Sequence, residues 1–562
     1  MCFLKTAEWA PFSARAGLQF THIAGPEMRM WLMHIFIATP GLLLMTWGLA
    51  PLFRQKLTRL SARLDVLSDR GWLALWLFYV VLLALLAVAG RELFLQGLSI
   101  TDDENMVRFG GQIWASGHFA VPLLEPDGPF NQAFTYRADG MVSSFDYPGA
   151  LFTQYLAIES GLGSGVYALL AAATGGLVVA CAAVAVSRKW AVLAAVMWLG
   201  SPMAMTLSWT THAHLVSRFY IVLTLFGFLR LVNGDERVRT AAIIGIGGGL
   251  SFFTRTIEAG LLLAPVVVYL FADAYRRTEA RRPLAVAASV AAIFVVIYCL
   301  YNLVMTGSPW VLPRLGPGAH ESVPIVAHSV ATRLGNHVAH NLMIFTIVAV
   351  GPLAFFAAVI GLSKPATWQW LFAAAFALVA ASGLLHDDVG IHEVGPIHWS
   401  ETVPLVLLLA VAGFRTLHRR LAELIDSSDF GLMVASYSGL VMLVLTLLQG
   451  ANLRFQALER MVIFEAVDQT VEPPALVIGD PPMALRSLRQ EFNLVGAWVH
   501  HHPPPDPFFR DPVIYARRER VPELLAKFPD RNVYRLVYKR EGTEPVEVIP
   551  VRRASTRVDR DP

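Results

Sequence analysis

Three consecutive carboxylates, Asp102, Asp103 and Glu104, stand just past Trp72–Gly90, a run without a single charge. Acids at the edge of so apolar a segment can do two kinds of work. One can take the proton from an attacking hydroxyl, as a general base. One can cap a helix, and Thr101-x-x-Glu104 has the spacing of a capping box. Capping explains Thr101, Glu104 and at most one further acid. A cation with similar promise is Arg255, where the short apolar stretches 240–254 and 257–272 meet. A charge at that depth costs about 2.5–3.5 kcal/mol by insertion scales. A guanidinium there could donate two parallel hydrogen bonds to a phosphate; it could equally snorkel to the interface or pair with Glu258.

The elements around these residues are membrane elements. Of the 562 residues 55% are hydrophobic and only 15% charged, too few charges for a soluble surface. The net charge of +3 does not suggest nucleic acid. Twelve apolar segments approach the length of a spanning helix: 31–52, 72–90, 164–186, 190–209, 215–233, 240–254, 257–272, 284–304, 338–361, 368–385, 399–417 and 429–448. The first is interrupted by Thr39-Pro40-Gly41, so it either spans or lies partly in the interface.

One alternating set of loops carries Arg54, Lys56, Arg59, Arg63, Arg70, Arg188, Lys189, Arg230, Arg237, Arg239, Arg276, Arg277, Arg281, Arg282, Lys364, Arg415, Arg419 and Arg420. The other set is longer yet holds only Arg91, Arg108, Arg137, Arg218, Arg255, Arg314 and Arg333. The first set is therefore expected in the cytoplasm. The loop 91–163, with its acids, then faces outward, and so does the C-terminus.

The fold class expected is an all-α polytopic membrane protein of about 11–12 transmembrane helices, with a long first outward loop carrying amphipathic helices and a small C-terminal α/β domain. Residues 1–71 form an N-terminal extension, first hydrophobic segment and basic loop; 72–449 form the core; 450–562 form the outer domain. Strands are expected at 475–479, 494–499, 513–516, 533–538 and 546–551, with helices near 482–492 and 519–528. In the first loop, Met106, Phe109, Ile113 and Trp114 make an apolar stripe that would lie on the membrane surface. A second amphipathic stretch is expected at about 149–159. The cysteines, Cys2, Cys181 and Cys299, offer neither a disulfide framework nor a CxxC site.

Several short motifs occur in an order that resembles the C-type superfamily of polytopic glycosyltransferases, such as protein O-mannosyltransferases and lipid A aminoarabinose transferases. More closely, the chain is similar to bacterial family-39-like membrane glycosyltransferases. "TDDE", 101–104, matches the acidic motif of the first outward loop. "DGMVSSFDYPG", 139–149, resembles "G-x-x-x-S-x-Y-P-P-G" with one proline fewer and without the Lys that some relatives carry there. "SWTTHAHLVSRFYIVL" (208–223), "GGGLSFFTRTIEAG" (247–260), "YNLVMTGSPW" (301–310) and "VGPIHWSETVPLVLLL" (394–409) resemble further family motifs; in the last, Ile397 replaces an Arg.

The resemblance implies transfer of a sugar from a polyprenyl-phosphate donor to a lipid, glycan or protein acceptor, at the outer face of a bacterial inner membrane. It places Asp103 as the catalytic carboxylate and Glu104 as its acidic neighbour. Tyr147, His212, His214 and Glu401 fall in the matched motifs as substrate-binding candidates; among cations near the surface that could hold the donor phosphate, Arg255 comes first, with Arg218 and Arg333 as second choices. A phosphate leaving group needs no strong acid, so one base suffices, and direct displacement inverts the anomeric carbon. A divalent metal is a further option. Thirteen of sixteen histidines fall on the outer side in this topology, near Asp387, Asp388, Glu393 and Glu401; interfacial histidines bonded to backbone are the commoner case. A transporter or flippase for a lipid-linked substrate is the alternative from another class, and would show inverted repeats with paired broken helices. A receptor reading centred on 452–562 leaves the long first loop unexplained.

Overall fold

The computed structural model describes residues 32, 34–99, 101–126, 128–130, 134–235, 237–319, 329–385, 391–392, 394–425, 427–479, 506–538 and 546–553. Among them, eight helices are long and apolar enough to cross a membrane. Two bent pairs bring the total to ten: Arg188–Gly200 with Pro202–Ser208, bent by 64°, and His340–Val348 with Pro352–Gly361, bent by 102°. Val238–Thr254 and Thr367–Ser382 are shorter apolar helices. Together these account for all twelve apolar segments of the sequence. The chain is a multi-pass membrane protein. The first apolar segment begins as a π-helical turn, His34–Ala38, and continues as the helix Thr39–Asp65.

The first loop is ordered by three devices. Thr101 caps the helix Asp102–Ala115 by accepting from Glu104 N at 3.3 Å. A three-stranded antiparallel sheet, Val121–Pro122, Thr135–Ala138 and Met141–Ser144, follows. Its tight hairpin turns on Asp139 and Gly140, both at positive φ (51° and 72°), as a two-residue hairpin loop requires. The chain then enters the helix Pro148–Glu159 with Pro148 at the first helical position. This helix packs closely on the first one. A Cβ on Gly111 would stand 2.3 Å from Gln154 Cγ, so the glycine sets the approach of the two helices.

The C-terminal domain is a four-stranded sheet. Ala475–Gly479 lies between Val513–Arg517 and Asn532–Tyr538, parallel to both, and Val546–Arg552 closes one edge antiparallel. The helix Val521–Lys527 also matches expectation. The expected strand 494–499 and helix 482–492 lie outside the described residues. The helix Met442–Thr470 continues unbroken past residue 450 and leads into this domain.

Side-chain alternation in the central strand explains the domain's position. Val477 faces Ile463 and Val467 on the outer turns of the last helix. Leu476 and Ile478 face the opposite way, onto Met106, Phe109 and Ile113. The apolar stripe of the helix Asp102–Ala115 therefore meets this sheet and not the membrane surface. Periodicity identified the buried face; a stripe looks the same to lipid and to a sheet.

Candidate active site

The acidic helix is fastened at its start to the turn between Ser208 and Ala213. Glu104 Oε1 accepts from Thr211 N at 2.7 Å and from Thr211 Oγ1 at 3.0 Å. Arg91 Nη1 stands 3.9 Å from the same oxygen and donates to Trp209 O at 2.9 Å. Thr101 Oγ1 and His212 Nε2 are 3.1 Å apart. Glu104 is wholly buried, so it holds two pieces of chain together and does not face a substrate. It completes no capping box either, since its carboxylate reaches Thr211. Glu104 and His212 thus tie the acidic helix to the 209–212 turn.

Asp103 is half-buried and pairs electrostatically with a carboxylate that the sequence-derived site omitted, Asp146. Asp146 follows the hairpin directly. Its backbone N–H bonds Ser144 Oγ at 3.1 Å, and Ser144 Oγ donates to Asp146 Oδ2 at 3.3 Å. Burial and the nearby Asp103 charge push the Asp146 carboxyl up to about 7, against the opposing pull of Arg314 and Arg255. Two carboxylates that cannot both ionise freely share a proton near neutral pH.

A second cluster abuts this pair. The helices Val238–Thr254 and Thr256–Arg276 break at Arg255, whose φ of −151° and ψ of 86° are not helical. The break meets the start of Pro148–Glu159 at Gly149, where a Cβ would lie 2.4 Å from Thr254 Oγ1. Tyr147 is thereby buried against Phe253 and Tyr298. Arg255 Nη2 donates to Glu258, and Arg255 Nε stands 3.5 Å from Glu401 Oε1. Glu401 also meets His214 Nδ1 at 2.9 Å and accepts from Ser400 Oγ at 2.9 Å. His398 Nδ1 lies 3.6 Å from Glu258 Oε1. Tyr147, His214, Arg255 and Glu401 do converge, as the motif order implied.

Arg333 is buried at the end of the short helix Val330–Arg333, and no hydrogen bond or ion pair joins it to this cluster among the described residues. Arg218 lies one turn deeper than His214, fully buried over the Trp198 ring at 5.8 Å. No group of three His, Cys, Asp or Glu fit for a metal occurs among the described residues. His320, His328, His386, Asp387, Asp388, Glu393 and His500–His502 fall outside those residues, as do the side chains of Asp102, His337 and His392.

The acidic helix's anchor and the Arg255 cluster sit where spans end on one side: Arg91, the 209–212 turn, the Arg255 break and Ile397–Thr402. Two crystal structures share the fold over most of the chain. ArnT from Cupriavidus metallidurans, bound to undecaprenyl phosphate, matches with a TM-score of 0.52 at 12% identity, over 86% of this chain and 98% of that one. Its apo form matches at 0.51 and 12%, over 85% and 98%. The chain is folded like ArnT. ArnT is a lipid A aminoarabinose transferase of the C-type superfamily, so the fold agrees with the one the motifs implied. The Archaeoglobus fulgidus oligosaccharyltransferase in complex with Zn and sulfate is more distant: TM-score 0.43, 14% identity, 76% of this chain and 62% of that one. No family model and no curated protein sequence matches the chain.

Proposed function

We propose that the chain is a membrane glycosyltransferase that moves a sugar from a polyprenyl-phosphate donor to the hydroxyl of a lipid, glycan or protein acceptor. Its site faces the periplasm of a bacterial inner membrane. The observation that carries this reading is the electrostatic contact of Asp103 and Asp146 beside Arg314 and Arg255, where the spans end. A base for the acceptor and cations for a phosphate stand together, in an ArnT-like fold. The two bent spans favour an enzyme over a carrier, because they bend by different angles and neither contributes an acid to the cluster.

Asp103 takes the acceptor proton. The acceptor oxygen forms its bond to the anomeric carbon as the bond from that carbon to the phosphate oxygen breaks. Polyprenyl phosphate leaves carrying the electron pair, so its phosphate gains one negative charge. Attack from the opposite face inverts the anomeric centre. Asp103→Asn keeps shape and removes the base, which is worth roughly 10²–10⁴-fold. In liposomes supplied with a polyprenyl-phosphate sugar, Asp103→Asn should fall by at least that factor while its melting temperature holds. Turnover near wild type would remove Asp103 from the mechanism.

A further inference from the structure

Arg255 was the expected phosphate ligand, yet its charge is already committed. It donates to Glu258 and stands 3.5 Å from Glu401, two carboxylates against one guanidinium. A different cation at the site is uncommitted. Arg314 belongs to the short 3₁₀ turn Pro313–Leu315, in the outward loop after the helix Arg281–Thr306. Its guanidinium stacks over the Phe145 ring, 5.1 Å from the centroid and one residue from Asp146. It lies within electrostatic reach of Tyr147, Arg255, Asp103 and Asp146. Among the described residues it makes no hydrogen bond and no ion pair.

The fold holds this arginine firmly. Gly307 ends the helix at φ 73°. Thr306 Oγ1 has three carbonyls in reach for its one proton, Asn302 O at 2.8 Å and Ser308 O and Val311 O at 3.0 Å, and Asn302 Nδ2 donates to Pro309 O at 3.3 Å. Beyond the arginine, Arg137 N donates to Gly318 O at 2.8 Å, and Tyr136 bridges to Ala319. A Cβ on Gly318 would stand 2.1 Å from Arg137 O, so only glycine permits this tie. The motif 301–310 thus shapes a strap that crosses to the hairpin and presents one free guanidinium beside Asp146.

We infer that Arg314, delivered by this strap, is the cation that binds the donor's phosphate, supplying from a second loop the positive charge that 145–149 lacks. The inference rests on the function proposed above. A single uncommitted charge matches the donor's phosphodiester, which carries one negative charge, better than a diphosphate. It also meets the charge that appears on the leaving phosphate as the bond breaks. Arg314 therefore acts on turnover as well as on binding.

The test is binding of undecaprenyl phosphate to the full chain in nanodiscs, with undecaprenol as the uncharged control. Arg314→Gln should weaken undecaprenyl phosphate about 10- to 100-fold, the worth of a charge-assisted hydrogen bond, and leave undecaprenol unchanged. Arg314→Lys, which keeps the charge without the fork, should weaken it several-fold and serves if the Gln variant does not fold. Arg255→Gln should chiefly lower the melting temperature. Arg314→Gln binding the phosphate within twofold of wild type overturns the inference and leaves the function standing. A wild-type chain that does not prefer undecaprenyl phosphate to undecaprenol overturns both.

Discussion

At the scale of residues, the Asp103–Asp146 pair gives a pH dependence with a definite sign. Asp146 titrates at about 7, raised first by burial and then by Asp103. Below that pH it is protonated, and the pair carries one negative charge beside the donor phosphate. Above it the pair carries two, which repel the phosphate. The donor KM should therefore rise between pH 6 and 8, by roughly tenfold for a coupling near 1.4 kcal/mol. Asp146→Asn should flatten that rise and keep the low KM of acid pH. A rise that persists in Asp146→Asn would assign the titration elsewhere. The acidic stretch stood out because three acids exceed what a cap requires; the motif match, and not the spacing, singled out Asp103 as the candidate base. Asp146 and Arg314 did not stand out, because each is a single charge in a long loop, and only the hairpin and the strap bring them together. Glu104 and Arg255 show the converse. Their types suited chemistry, but each has a near partner: Thr211, which no spacing disclosed, and Glu258, which its place three residues on had already offered.

At the scale of elements, the helix Asp102–Ala115 is clamped from both sides. Its start is bound to the 209–212 turn, and its apolar stripe is covered by the C-terminal sheet. Lys527 adds a hydrogen bond to Glu125 O, and Arg517 N donates to Pro129 O at 3.0 Å. The small C-terminal domain thus holds in place the helix that carries Asp103. Phe109 is buried in this contact, and Ile514 faces it from the sheet. Phe109→Ala should cost about 3–5 kcal/mol and Ile514→Ala about 2–5 kcal/mol, from lost transfer energy and the cavity left behind. Both should lower kcat more than they raise the donor KM, because the base shifts while the phosphate cation stays. A lowered melting temperature with unchanged kcat would confine the clamp to stability. The sequence marked the buried stripe and all four described strands of the domain, since period-2 and period-3.6 patterns survive in any surroundings. It did not mark which surface meets the stripe, because that contact joins residues some 370 positions apart.

At the scale of the whole molecule, this same contact constrains the topology. The helix Asp102–Ala115 precedes the span Gly165–Ala185, and the sheet follows the span Asp429–Arg454. Because the two touch, the chain between them must cross the membrane an even number of times. Six helices from Gly165–Ala185 onward pass as spans alone; the two bent pairs and the two short helices make ten. Ten is even, so the contact and the charge pattern agree. Were only one bent pair re-entrant, the number would be nine, and the sheet would lie across the membrane from the helix it covers. The cytoplasmic assignment of the basic loops then decides which face holds the site. Single cysteines at Asp139 and Asp530, both exposed, should react with an impermeant thiol reagent added from outside; one at Glu279, also exposed, should not. The background should lack Cys299, which is only half-buried. Labelling of 139 and 530 together, from either side, follows from the contact alone. Labelling of 279 from outside with 139 and 530 protected would keep the fold and its parity while placing Asp103 in the cytoplasm, where a donor presented at the outer face could not reach it.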